Sequence, residues 1–178
     1  MLCYVKNRIG RTIGSEEGSS IIELAIVFPI LLILFVGTAE LGRLFYTYTT
    51  LAKATDVGAR YLSTSRNAVN GTATEIATAK TEAKNLVIYG CKDRTTAPCS
   101  TASPVVGGMT TANVSICDNF AVACNPVIPA NTTKYFRVEI TGYTFAAGSW
   151  NLATMTGIAN GAFYGNALKP STEMRWMQ

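Results

Sequence analysis

From Ile21 to Ala39 the chain reads IIELAIVFPILLILFVGTA, an apolar run whose one charge is Glu23. A helix crosses a hydrocarbon core in about 20 residues, so this run has the length of a membrane span. A core helix of a soluble domain would turn a polar face outward at 3.6-residue spacing, and between Leu24 and Val36 there is none. The run therefore predicts an anchored or exported chain, with a short hydrophilic segment ahead of it and most of the 178 residues behind it.

Two processing histories fit. In one, Gly37-Thr38-Ala39 closes a secretory signal peptide whose basic region is Lys6, Arg8 and Arg11, and the product is soluble. The acidic pair Glu16-Glu17 directly before the apolar core, and Glu23 inside it, argue against that. In the other, a hydrophilic leader of residues 1–18 ends at Gly18. Cleavage there makes Ser19 the new N-terminus and leaves the apolar helix on the mature protein with Glu23 as its fifth residue. The second history fits the charges, and it gives three parts: a leader, 1–18; a transmembrane helix, 19–44; and an extracytoplasmic domain, 45–178.

A carboxylate near the mouth of a span is costly unless it is paired, which makes Glu23 a functional candidate. The amine freed at Ser19 lies on the same face at i, i+4. Pro29 has no N–H and pushes on the carbonyl of Ala25, so it is expected to bend the helix without ending it. Past the run, Glu40 and Arg43 are spaced to pair, and Tyr46 and Tyr48 fall at the interface level. Small residues at Ala52, Ala54, Gly58 and Ala59 would let this stretch of helix sit closely on its own domain. One helix from Ser20 to Thr64 would be about 65 to 70 Å long, roughly twice the bilayer requirement, so half of it projects.

The distal sequence predicts an α+β fold: the long N-terminal helix (a membrane half and a projecting amphipathic half), a second helix, and a small antiparallel sheet. Asn67 to Thr74 reads as a turn around Asn70-Gly71. Thr72-Ala73-Thr74-Glu75 is a capping-box pattern opening a helix to about Tyr89, with Ile76, Ala79, Ala83 and Leu86 as its buried stripe and Gly90 as its stop. Strand-type clusters follow at Asn113–Ile116, Tyr135–Phe145 and Glu173–Met177. The aromatics Tyr135, Phe136, Tyr143, Phe145, Trp150, Phe163 and Tyr164 are expected in the core and on strand faces.

Cys3 stands alone ahead of the span, and Cys91, Cys99, Cys117 and Cys124 form an even set behind it. Of three connectivities the local one, Cys91 with Cys99 and Cys117 with Cys124, is expected. Such bridges would staple a loop-rich domain in an oxidising compartment, and they orient the chain with this domain outside. Basic residues on both flanks of the span leave the charge rule undecided.

Histidine is absent, the Cys spacings match no zinc pattern, and there is neither a Gly-rich phosphate loop nor a nucleophile with a recognisable base. No enzyme, metal or cofactor is expected. A formal charge of +4 from scattered Lys and Arg, with no basic aromatic platform, gives no nucleic-acid partner.

Gly18 to Ser63 resembles the N-terminal module of TadE-like proteins, minor pseudopilins of the tight-adherence (Flp) pilus within the type IV pilin superfamily. The residues that carry the resemblance are Gly18-Ser19 followed by Glu23, Phe28-Pro29, the Glu40-x-Gly42-Arg43 group and Gly58-Ala59-Arg60, with an echo of the family's closing segment at Ser171–Trp176. Leu24 departs from the Tyr or Phe of Flp-type prepilins. The resemblance implies cleavage by a prepilin peptidase, and pairing of Glu23 with another subunit's amine to set register. It also implies contacts with other pilin or pseudopilin subunits, membrane lipid and the inner-membrane pilus assembly machinery. The implied place is the bacterial inner membrane, single-pass with the C-terminal domain in the periplasm, and then a surface pilus. The implied function is a minor subunit supporting assembly of that pilus or a related secretion filament. The alternative is an adhesin or binding module anchored or secreted by the same segment.

Overall fold

The structure is a computed structural model that describes residues 16–119, 133–145 and 167–177. Helix α1 runs unbroken from Glu16 to Thr64, 49 residues, or about 74 Å at 1.5 Å per residue. It passes through Pro29 without ending, because a missing N–H removes one bond from a ladder that its neighbours maintain. Every large apolar side chain from Ile21 to Phe35 is exposed. Farther along, Leu51, Thr55, Ala59 and Leu62 are fully buried, a spacing that marks one helical face.

The stretch expected as a plain turn contains one helical turn, α2 (Asn67–Asn70), which buries Ala68 and Val69. Gly71 follows because a Cβ there would lie 2.6 Å from the Asn67 carbonyl oxygen. Helix α3 (Ala73–Tyr89) opens on the predicted capping box: the Thr72 N–H donates to the Glu75 carboxylate at 2.7 Å and the Glu75 N–H to the Thr72 hydroxyl at 3.4 Å. Gly90, at φ 72, closes it by donating to the Leu86 carbonyl. Its buried face is Ala79, Ala83, Val87 and Ile88, whereas the expected Ile76 and Leu86 are only half-buried. The shift follows from Gly58 of α1, whose missing side chain lets Val87 approach: a Cβ on Gly58 would come within 2.5 Å of Val87 Cγ2.

Strands β1 (Val114–Asp118), β2 (Tyr135–Ile140) and β5 (Ser171–Arg175) form an antiparallel sheet in the order β1-β2-β5. Its register pairs Ile116 with Val138 and Val138 with Thr172. A separate pair joins β3 (Tyr143–Thr144) to β4 (Ala167–Leu168), with Tyr143 opposite Leu168. The expected single strand Tyr135–Phe145 is thus broken at Thr141-Gly142, where Gly142 takes φ 68. β4 was not expected, and the last strand begins two residues before Glu173 and ends at Arg175.

Phe136, Val138, Ile140, Val114 and Ile116 from the sheet share a core with Leu51, Ala59 and Leu62 of α1 and Ala83, Val87 and Ile88 of α3. Tyr143 and Phe145 are buried and Tyr135 is half-buried, whereas Trp150, Phe163 and Tyr164 lie outside the described residues. β5 runs alongside α1: the Thr172 and Thr55 hydroxyls are 3.0 Å apart, and Met177 N–H donates to the Ser63 carbonyl at 2.9 Å. β2, antiparallel to it, therefore runs back toward the apolar half of α1 and leads through β3 to Phe145.

Candidate assembly helix and its seat

The residues singled out in the sequence divide between the free and the seated parts of α1. Gly18 and Ser19 have helical backbone within α1. Glu23 follows one turn later, its side chain exposed among exposed Ile21, Ile22, Leu24 and Ile26. Pro29 is six residues further on. Among the described residues α1 is the one helix long and apolar enough to cross a membrane; its most apolar stretch has a mean hydropathy of 2.6 and none of that stretch is buried.

At the far end of that stretch the Arg43 guanidinium meets the Glu40 carboxylate at 3.0 Å. An exposed i, i+3 pair like this adds a few tenths of a kcal/mol to the helix. Arg43 also lies over the ring of Phe145, 5.5 Å from its centroid. Phe45, Tyr46 and Tyr48 are exposed here. Thr38, Thr49 and Thr50 donate their hydroxyls back to carbonyls three or four residues earlier, which removes their polarity from a nearly apolar helix.

The seated half is held by small and polar residues as much as by apolar ones. Thr55 is fully buried between the Ala52 carbonyl and Thr172. Tyr61 donates to Glu82 of α3, and Lys92 lies 4.5 Å from the centre of the Tyr61 ring. Across the sheet, buried Asp118 accepts from Lys80 of α3 at 2.8 Å, and Arg137 pairs with Glu173. Removing one member of a buried ion pair such as Lys80–Asp118 costs about 3–5 kcal/mol as a general range. Sequence reasoning missed the Thr55–Thr172, Tyr61–Glu82, Lys80–Asp118 and Arg137–Glu173 contacts, since their partners are far apart along the chain and no local spacing announces them.

Cys91 and Cys99 are bridged, their Cα atoms 6.2 Å apart, directly after α3. Asn85 donates to the Lys92 carbonyl inside this loop, and Arg94 stacks 3.5 Å over the centre of the Tyr89 ring. Cys117, on β1, is buried and disulfide-bonded; its expected partner Cys124 lies outside the described residues, as does Cys3. The described residues contain no group of His, Cys, Asp or Glu able to hold a metal ion.

No curated protein and no solved structure matches the chain. Residues 18–60 match the family model of TadE-like proteins, a structural family associated with the tight-adherence pilus and the cell envelope. The matched segment is the apolar length of α1 together with the first part of its seat, and it is over that segment, about a quarter of the chain, that the sequence is similar to TadE-like proteins.

Proposed function

We propose that this chain is a minor pilin-like subunit that supports assembly of a tight-adherence pilus, or of a related secretion filament, through packing of its N-terminal helix. The observation that carries the reading is the division of α1. One continuous helix leaves every large apolar side chain from Ile21 to Phe35 uncovered while its distal part completes a folded core. A simple tether needs no rigid continuation into a domain; a subunit that must present a span at fixed angle and height to neighbouring helices does.

On this reading residues 1–18 are a leader removed by a prepilin peptidase between Gly18 and Ser19. Residues 19–44 span the inner membrane, and residues 45–178 form the periplasmic domain, where an oxidising compartment suits the Cys91–Cys99 bridge. Glu23 pairs with the Ser19 amine of a neighbouring subunit and fixes axial register. An unpaired charge costs about 2.5–3.5 kcal/mol or more at the centre of a span and less near its mouth, so a pair for Glu23 is favoured once helices pack. Other pilins and the inner-membrane assembly machinery are the partners.

Glu23→Gln keeps the shape and removes the charge. The expected outcome is a protein that inserts and is cut at Ser19, in cells that lack pili. N-terminal sequencing of the same sample separates this from a processing defect, for which Gly18→Val, leaving the leader attached, is the control. Normal pilus number with correctly cut Glu23→Gln protein would make the glutamate a bystander and leave an anchored outer domain such as an adhesin.

A further inference from the structure

Asn70-Gly71 is the point where α2 gives way to the start of α3. Asn70 is exposed and ends the one-turn helix, tied there by its own N–H, which donates to the Arg66 carbonyl at 2.9 Å. The next rung is missing. Among the described residues the Gly71 N–H donates to no carbonyl, and no hydrogen bond engages the Asn70 side-chain amide. Gly71 already has extended backbone, at φ −78 and ψ 171. The ψ torsion of Asn70 is therefore the joint between helical and extended chain, and no hydrogen bond from the residue beyond it locks it.

A turn about that torsion brings the Gly71 nitrogen against Asn70 Cγ, where a neighbouring group reacts as if at high concentration. Glycine has no Cβ to shield the approach. The Gly71 nitrogen bonds to Cγ, the bond from Cγ to Nδ2 breaks, and Nδ2 leaves with the Gly71 amide proton as ammonia. The product is a cyclic imide. Water then opens it. Hydrolysis between Cγ and the nitrogen leaves an aspartate at position 70, and hydrolysis at the main-chain carbonyl leaves an isoaspartate, through whose Cγ the chain then runs. One water enters and one ammonia leaves, with nothing oxidised or reduced.

We propose that Asn70 is a site of spontaneous deamidation in the folded protein, and that its isoaspartate product loosens the turn between α2 and α3. The loosening follows from the space around Gly71. Buried Ala68 and Val69 clamp the turn on one side and the Thr72–Glu75 capping box on the other. A single carbon added to Gly71 would already lie 2.6 Å from the Asn67 carbonyl oxygen and 2.9 Å from Glu75 Cβ. Isoaspartate puts an extra methylene into the chain directly before that glycine, so one of the two clamps has to give. The aspartate product adds no backbone atom, and its charge falls just ahead of α3, where the helix dipole favours an anion. None of this depends on the assembly role.

The test holds the full chain in detergent micelles in mildly alkaline buffer, beside a sample unfolded in urea, and digests aliquots of both with trypsin. Cleavage after Arg66 and Lys80 releases residues 67–80, in which Asn70 alone precedes a glycine; Asn160-Gly161 falls in a different peptide. Mass spectrometry of that peptide, less the signal of a digest made at time zero, reads the reaction. The expected result from the folded sample is a growing fraction that has exchanged an amide NH2 for OH at Asn70, more as isoaspartate than as aspartate, and faster as the pH is raised. Asn67 in the same peptide should stay intact, and the Asn70→Gln chain should show no gain. A folded sample that keeps Asn70 intact while the unfolded one converts would show that the fold protects the amide, and would overturn the proposal; so would no conversion in either. The aged folded protein should also lose its near-UV circular dichroism at a lower temperature than fresh protein, whereas fresh Asn70→Asp should not. Aged protein rich in isoaspartate that melts with the fresh sample would overturn the loosening of the turn.

Discussion

Leu31 and Leu62 stand on the same helix and meet opposite surroundings: Leu31 is 54% exposed and Leu62 fully buried. Composition does not separate them, since both halves of α1 are rich in apolar residues. What separates them is partnership. The distal half has α3 at Gly58 and the sheet at Thr55, whereas the proximal half has no covering within the described residues. One helix can thus be an element of a domain core and, without a break, an apolar surface that the described residues leave uncovered.

The largest effect expected on this contrast comes from truncating one leucine in each half. Leu62→Ala should cost about 2–5 kcal/mol of domain stability, the usual range for a buried leucine. Leu31→Ala should leave domain unfolding unchanged, both read by near-UV circular dichroism during denaturation of the full chain in detergent. Equal losses from the two would show that the halves fold as one unit.

A smaller loss should follow Cys91→Ser with Cys99→Ser. Chain entropy assigns a loop of this length about 2–3 kcal/mol as an upper figure. The loss should appear in the distal domain alone, with membrane extraction of the chain unaltered. A change in insertion would mean that the disulfide loop and the span communicate.

The smallest effect sharpens the comparison at the surface of α3. The Thr72 N–H, and after it the Thr72 hydroxyl, hold the Glu75 carboxyl below its ordinary range. The folded value lies below the unfolded one, so the contribution is complete above the ordinary carboxylate range and fades as pH falls through the lowered value. Glu75→Gln should flatten the midpoint-against-pH curve in acid without touching insertion. An unchanged acid limb would show that the cap contributes nothing measurable.

Local signals carried a good part of this fold. The helical course of the apolar run, the reach of α1 to Thr64, the Thr72–Glu75 cap and the Gly90 stop each depend on residues within one or two turns of one another, and the structure has them where the sequence put them. The Cys91–Cys99 bridge was legible for the same reason, being nearly local. The helical turn α2 was hidden because turn-forming Asn67, Asn70 and Gly71 flank it, and only the tertiary burial of Ala68 and Val69 decides its conformation. Two-residue β4 has no periodicity to detect. The break at Gly142, the choice of Val87 over Leu86 and the Lys80–Asp118 pair all depend on partners far along the chain. In the candidate site, Glu23 and Pro29 were visible as anomalies inside an apolar run, whereas Arg43 over Phe145 joins residues that no spacing connects.

The hydroxyl contact between Thr55 and Thr172 spans 117 positions of sequence. At about 5–20 residues per second of chain synthesis, roughly 6 to 23 seconds separate the appearance of these two residues. For that interval the face of α1 that Thr55 belongs to lacks its last covering strand. That face of α1 is therefore complete only when a strand made more than a hundred residues later has been laid against it.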